Sequence, residues 1–269
     1  MVIIARLLRF LSNFFVCAEN LGLASAWTIF VTSRFSALPT TIYMKRFERD
    51  FRFRGSADKG VMSHFYKPGY HIQDTPQSPI KSIIDCGANI GDETLRFRHF
   101  HRGAKIIALE AEAGNFELLQ KNMDGDPSTT CLQKAVWPIC VTLEVVEGPS
   151  HEGHSVREIA STLRLESGAK CVEGISLEKL AQDFELQSID ILKLDIEGGE
   201  YELFTRNYDR WIGLVRAIIF ECNDHERAGT TAAVFRSISD QEFDSHIHGE
   251  NLILIRRSTG WTLKSVLYY

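Results

Sequence analysis

A glycine-spaced turn, Ile84-Asp85-Cys86-Gly87-Ala88-Asn89-Ile90-Gly91, follows a short apolar run and precedes a helical segment, and this arrangement restricts the chain to few folds. Glycine tolerates left-handed backbone and lets a ligand approach the main chain closely. The surrounding pattern is regular. Lys81 to Asp85 predicts a strand, Asp92 to Phe100 a helix, Lys105 to Glu110 a second strand and Asn115 to Met123 a second helix. Further strands are expected at Thr129 to Val136, Ile189 to Asp195, Arg216 to Cys222, Leu252 to Arg256 and Trp261 to Tyr268, with a helix at Gly199 to Asn207. Ser176 is placed to cap a helix carrying Leu177, Leu180, Ala181 and Phe184. Short apolar strands alternating with helices imply a mostly parallel sheet covered on both faces, an α/β, Rossmann-like domain. The stretch after Trp137-Pro138, to Val172, reads as less regular.

The loop Asp74-Thr75-Pro76-Gln77-Ser78-Pro79 marks an expected boundary, with an N-terminal helical and hairpin extension over 1–78 and the α/β domain over 79–269. Val2 to Val16 is apolar, with Arg6, Arg9 and Asn13 at helical spacing. Its charges leave no run of the ~20 apolar residues that a bilayer span needs. Ala24-Ser25-Ala26 has the form of a signal cleavage site, but Glu19 and Asn20 interrupt the approach to it. The helix is therefore expected to pack on the domain or on a second subunit in a cytoplasmic protein. Attachment to a membrane surface is the alternative. Phe51-Arg52-Phe53-Arg54 alternates as a strand with one wet face, and Gly55-Ser56-Ala57-Asp58 reads as a turn. The six cysteines include no C-x-x-C pair, which argues against zinc. Cys86 and Cys222 lie in apolar runs and read as small buried residues of a reduced protein. The net charge of −5 and the lack of a Lys/Arg run argue against a duplex nucleic-acid binder.

The second strand ends in Glu110, 25 positions after Asp85, where a carboxylate can accept from both hydroxyls of a ribose. With the glycine turn, this implies a nucleoside cofactor. A dinucleotide needs its pyrophosphate on the first helix N-terminus. Here that helix opens with Asp92 and Glu93, which repel phosphate, and the turn reads G-x-x-x-G rather than G-x-G-x-x-G. S-adenosylmethionine has no phosphate and carries a sulfonium and an ammonium, so an acidic lip of Asp85, Asp92 and Glu110 suits it better. The two acids also complement the helix dipole.

These segments resemble the FkbM-type methyltransferases from about Arg52 to Glu221. Ile84 to Gly91 is similar to the family's glycine motif. Ala108-Leu109-Glu110 with Asn115-Phe116-Glu117-Leu118-Leu119 and Asn122 is similar to its second strand and helix, although Ala111 stands where the family usually has proline. Ala135-Val136 sits where the family has an alanine at the cofactor region, and Ile175-Ser176-Leu177-Glu178-Lys179-Leu180 resembles the segment before the fourth strand. Asp190-Ile191-Leu192-Lys193-Leu194-Asp195-Ile196-Glu197-Gly198-Gly199-Glu200 resembles the K-x-D-x-E-G signature, and Arg54 to Asp58 with Gly69-Tyr70 resembles a lead-in of some members. The resemblance implies a cytosolic, S-adenosylmethionine-dependent O-methyltransferase acting on natural products or saccharides. It also implies that His64, Tyr70 and His71 close the pocket.

The cofactor-binding residues expected on these grounds are Asp85, Gly87, Ala88, Asn89, Gly91, Glu110, Ala135 and Asp195. Methyl transfer to a hydroxyl needs in-line positioning and a proton acceptor. Lys193, Asp195 and Glu197 alternate at the end of the fourth strand, where a Lys193 ion pair with either carboxylate would hold the strand end. Asp195 is the expected general base, with Glu197 orienting substrate or supporting the following turn and His225 the alternative base. Asp195, Glu197, Glu221 and His225 carry ligands suited to Mg²⁺, but their spacing does not require a metal, and none is expected. His151 and His154 read as surface loop residues. Two other functions share the pattern: an NAD-dependent oxidoreductase, and a non-catalytic cofactor-binding interaction protein.

Overall fold

The computed structural model describes residues 2–35, 38–67, 69–148, 153–159, 170–222 and 224–266, so His151, Asn223 and the end of the last expected strand lie outside the described residues. The chain divides into two compact units, 1–71 with 264–269, and 72–263. The loop at 74–79 falls inside the second.

The first unit carries helices α1 (Val2–Leu21) and α2 (Leu23–Phe35), a hairpin of β1 (Thr40–Met44) and β2 (Arg49–Phe53), and the short helix α3 (Lys59–Ser63). Phe51 and Phe53 are fully buried while Arg52 between them is half-buried, as the alternation predicts. Asp58 is buried and takes the Arg54 guanidinium at 2.6 Å and the Arg54 N–H at 2.5 Å, which closes the Gly55–Asp58 turn. Strand β3 (Gly69–Gln73) carries the chain onward.

The second unit continues with β4 (Ser82–Cys86), α4 (Asp92–Phe100), β5 (Lys105–Leu109), α5 (Ala113–Met123), β6 (Thr129–Leu132), β7 (Lys134–Val136), β8 (Val141–Val146), β9 (Ser155–Glu158) and β10 (Cys171–Ile175). It ends with α6 (Leu177–Asp183), β11 (Ile189–Leu194), α7 (Glu200–Thr205), β12 (Val215–Glu221), α8 (Thr230–Ser237), β13 (Phe243–His248) and β14 (Asn251–Arg256), before β15 (Thr262–Val266). Seven strands form the main sheet in the order β13-β14-β12-β11-β4-β5-β6. β12, β11, β4, β5 and β6 run parallel, and β14 is antiparallel to both β12 and β13. Strand order reverses between β4 and β11, the switch point where a doubly wound sheet opens a crevice at its carboxyl ends. Every residue of β4 and β11 is buried, because helices cover both faces there.

Three expectations change. Thr129 to Val136 is not one strand: β6 pairs with β5, and β7 leaves to pair with β10. The stretch read as less regular builds a four-stranded sheet, β7-β10-β8-β9, around a small core of Ala135, Trp137, Leu143, Val145 and Val172. Cys222, at the exposed end of its strand, is not buried, whereas Cys86 is. The Ser176 hydroxyl does cap α6, accepting from the Lys179 N–H at 3.2 Å. Among the described residues, no helix is long and apolar enough to cross a membrane.

Phe220 is fully buried in the main core, its ring 6.3 Å from Phe204. Phe220→Ala is expected to destabilise the second unit by about 3–5 kcal/mol, read as a lower urea midpoint with an unchanged slope.

Candidate active site at the sheet switch point

The turn after β4 is set by contact with the turn after β11. Gly87 has φ +74, and a Cβ there would lie 1.8 Å from the Asp195 carbonyl oxygen, so no other residue fits without moving a strand. The Gly87 and Ala88 N–H groups donate to the Leu109 carbonyl at 3.0 and 2.9 Å. Asn89 is held in the left-handed region with φ +48. Its side-chain oxygen is buried with no hydrogen-bond partner.

Beneath this turn sits Lys193. Its Nζ donates to the Gly87 carbonyl at 3.0 Å and to Asp195 Oδ2 at 3.2 Å, and lies 3.6 Å from Asp85 Oδ1. Burial opposes its charge, but Asp195, Asp85, Glu93 and Asp92 outweigh that and hold it above the usual lysine range. Asp85 is fully buried and its other oxygen accepts from the Thr94 hydroxyl at 2.6 Å.

A cleft opens above, lined by Gly87, Asn89, Glu110, Ala135, Asp195 and Glu197, with Asn115, Lys134, His154 and Val156 among the other walls. Glu110 is buried at its rim and accepts the N–H groups of Asn89 and Glu112, both at 2.9 Å. Burial pushes its carboxyl up to about 7. Glu197 is also pushed up to about 7, by burial and then by the charges of Asp195, Glu200 and Glu226. Glu221 is pushed up to about 8 by burial, by the Asp195 charge and by hydrogen bonds with Glu250 and Asp195. Glu200 is fully buried and accepts from Ile196 N–H at 2.8 Å and Gly198 N–H at 2.9 Å, which fixes Glu197 at φ +51.

A groove of about 430 Å³ shares Val156 and Glu197 with the cleft and runs past Trp137, Glu158, Gly198, Gly199, Glu202, Arg206 and Arg227. Its wall is a chain of opposite charges. Glu158 accepts from Trp137 Nε1 at 2.8 Å and Arg206 at 2.5 Å, and Glu202 lies 3.6 Å from Arg206 and 3.5 Å from Arg227.

Of the expected cofactor residues, Gly87, Asn89, Glu110, Ala135 and Asp195 line the cleft, whereas Asp85, Ala88 and Gly91 do not. Asp85 and Asp92 are buried with Lys193 and are not part of an acidic lip, so Glu110 alone of the three faces the opening. Gly91 serves packing: a Cβ there would meet Leu119 at 2.9 Å. His225 is not brought into the cleft. Its side chain is 71% exposed, beside Glu226, in a separate groove with Phe235 and Ile247. His154, read as a surface residue, lines the cleft instead, and nothing in the sequence around it signals that. His64, Tyr70 and His71 belong to the first unit. Among the described residues, no group of three or more His, Cys, Asp or Glu is arranged to hold a metal.

The strand order and directions are those of a Rossmann-like methyltransferase domain. Residues 85–245 match the family model described as the methyltransferase FkbM domain, and the chain belongs to that family. Methyltransferase sdnD of Sordaria araneosa is 26% identical over 204 residues, covering 65% of this chain and 77% of that protein. Among solved structures, methyltransferase FkbM from Methylobacillus flagellatus KT aligns with 12% identity and a TM-score of 0.43, over 65% of this chain and only 43% of its own. Aeropyrum pernix fibrillarin in complex with natively bound S-adenosyl-L-methionine aligns with 7% identity and a TM-score of 0.37, over 67% of each chain.

The raised carboxyls make stability depend on pH. Unfolded, Glu110, Glu197 and Glu221 deprotonate near 4.5; folded, they hold their protons to about 7, 7 and 8. Between those limits the folded state binds more protons, so stability falls as pH rises. Thermal melts are expected to show Tm dropping over this range, and Glu221→Gln to remove part of the drop.

Proposed function

We propose that this chain transfers the methyl group of S-adenosylmethionine to a hydroxyl oxygen of a small-molecule or saccharide acceptor. The observation that carries the reading is the donor set of the cleft: carboxylates Glu110, Asp195 and Glu197 and the unsatisfied buried oxygen of Asn89. These are acceptors, matched to a diol, an ammonium and a sulfonium. The place where a dinucleotide would seat its phosphates is occupied by the chain's own Asp92 and Glu93, which weighs against the nicotinamide alternative. Glu110 would hold the ribose hydroxyls, and Asn89 with Asp195 the ammonium. Bound there, the cofactor supplies a methyl group on a positively charged sulfur.

Glu197 is the favoured general base. Asp195 already accepts from Lys193 at 3.2 Å, and its charge serves the ammonium. Glu197 faces both cleft and groove, and a carboxyl near 7 suits proton uptake at neutral pH. Glu197 would take the hydroxyl proton as the acceptor oxygen takes the methyl group, which would leave the cofactor as a neutral thioether. The alternating donors and acceptors of Glu158, Arg206, Glu202 and Arg227 match a neutral, polyhydroxylated acceptor better than an apolar ring.

Titration calorimetry with S-adenosylmethionine is expected to show binding that Glu110→Ala weakens at least about tenfold by removing charge-assisted hydrogen bonds. Undiminished affinity there would rule out the assigned cleft. In assays following a labelled methyl group across a saccharide panel, Glu197→Gln is expected to lower kcat by about 10²–10⁴. Wild-type kcat/KM should rise with pH through about 7. Arg227→Ala, on the groove wall, is expected to raise acceptor KM while leaving cofactor affinity unchanged.

A further inference from the structure

The α1–α2 pair has two apolar faces and needs only one. The inner face is already packed: Phe10 and Phe14 meet Phe30 at 5.3 and 5.7 Å, and Phe30 meets Tyr66 at 5.1 Å. The pair is pinned to the hairpin, with the Ser25 hydroxyl donating to the Tyr43 carbonyl at 2.6 Å and Arg46 donating to Asn20 Oδ1 at 3.2 Å. On the outer side of α1, Ile4, Leu8, Leu11 and Phe15 recur at helical spacing and are 62, 62, 40 and 64% exposed. Leu23 and Trp27 of α2 are 69 and 64% exposed. A row of large apolar side chains this exposed marks an interaction surface.

Charge identifies the occupant. Residues 1–71 hold ten Lys and Arg against four Asp and Glu, while 72–263 hold nineteen against thirty-one. A second copy laid on this face would bring two cationic units together, whereas an anionic surface neutralises them. Neither helix is long and apolar enough to cross a membrane, and a helix lying in the plane of the interface would place an exposed indole such as that of Trp27 where it is favoured. We propose that the outer face of the α1–α2 pair docks flat on an anionic membrane surface.

The test is sedimentation of the full chain with vesicles of phosphatidylcholine alone and of phosphatidylcholine mixed with phosphatidylserine. Uptake is expected on the mixed vesicles, at least about tenfold above the neutral ones and weakened by salt. Leu8→Glu and Phe15→Glu change exposed side chains, so both variants should keep the wild-type circular dichroism spectrum and lose most of the uptake. Arg6→Glu, also exposed, should weaken it without altering the apolar row. Equal uptake on both vesicle types, no uptake, or full uptake by the Glu variants would each overturn the proposal. So would a concentration-dependent dimer that Leu8→Glu dissolves while vesicles take up no protein.

Discussion

The Lys193 ammonium is the interaction on which the site depends. It is buried between the carboxyl ends of the two central strands and is surrounded by Asp195, Asp85 and the Gly87 carbonyl. Without it, two carboxylates would face each other across the switch point in a poorly solvated interior, and their repulsion would push β4 and β11 apart. With it, the turns after these strands approach until the Gly87 position has no room for a Cβ. Removing one partner of such a buried cluster costs about 3–5 kcal/mol, because the remaining charges are left uncompensated. The glycine turn and the lysine are thus two halves of one constraint: one permits the close approach and the other enforces it.

Carboxylates near this point differ by environment rather than by type. Asp85 is fully enclosed and tied to Thr94 and Lys193, which makes it part of the scaffold. Asp195 is tied on one side and open on the other. Glu197 is partly buried, and the charges of Asp195, Glu200 and Glu226 outweigh the attraction of Lys193, so its proton affinity rises. Its direction comes from Glu200, which clamps the backbone on both sides and holds Glu197 in a conformation that non-glycine residues seldom adopt. Separation of proton affinities among neighbouring acids is how one cleft can both hold a cation and accept a proton.

The sheet was legible because β4, β5, β11 and β12 are largely buried and are dominated by apolar residues, with few charges such as Asp85, Asp190 and Lys193. Glu110 was legible from its place at a strand end. Asp85 was misread as a pocket residue because sequence gives the strand end but not which carboxylate Lys193 claims. The β7-β10-β8-β9 sheet was missed because its strands are short and half-exposed, with mixed polarity and a small core. That sheet supplies Val156 and Glu158 to the cleft and groove walls, and His154 just ahead of β9, so the acceptor side was the least readable part. Strand β13 escaped for a related reason. It is an edge strand whose residues from Asp244 to Ile247 are all exposed, three of them polar, so no apolar alternation marks it in the sequence. Asp190, three residues ahead of K-x-D-x-E-G, accepts from the Lys81 and Ser82 N–H groups at 2.7 and 3.1 Å and anchors the start of β4.

The same reasoning about environment extends to the surface. In the second unit Lys193 balances the inner acids of the switch point, Asp85 and Asp195. In the first unit the excess charge is basic and comes with apolar side chains that the described residues of that unit leave exposed. A chain selected only for solubility would place polar residues at Ile4, Leu8, Leu11 and Phe15, because the inner aromatic cluster already supplies the helix with a core. Their retention on the outer side, next to a cationic unit, follows if that side meets an apolar, negatively charged boundary, just as the acids of the cleft follow if they meet a cation.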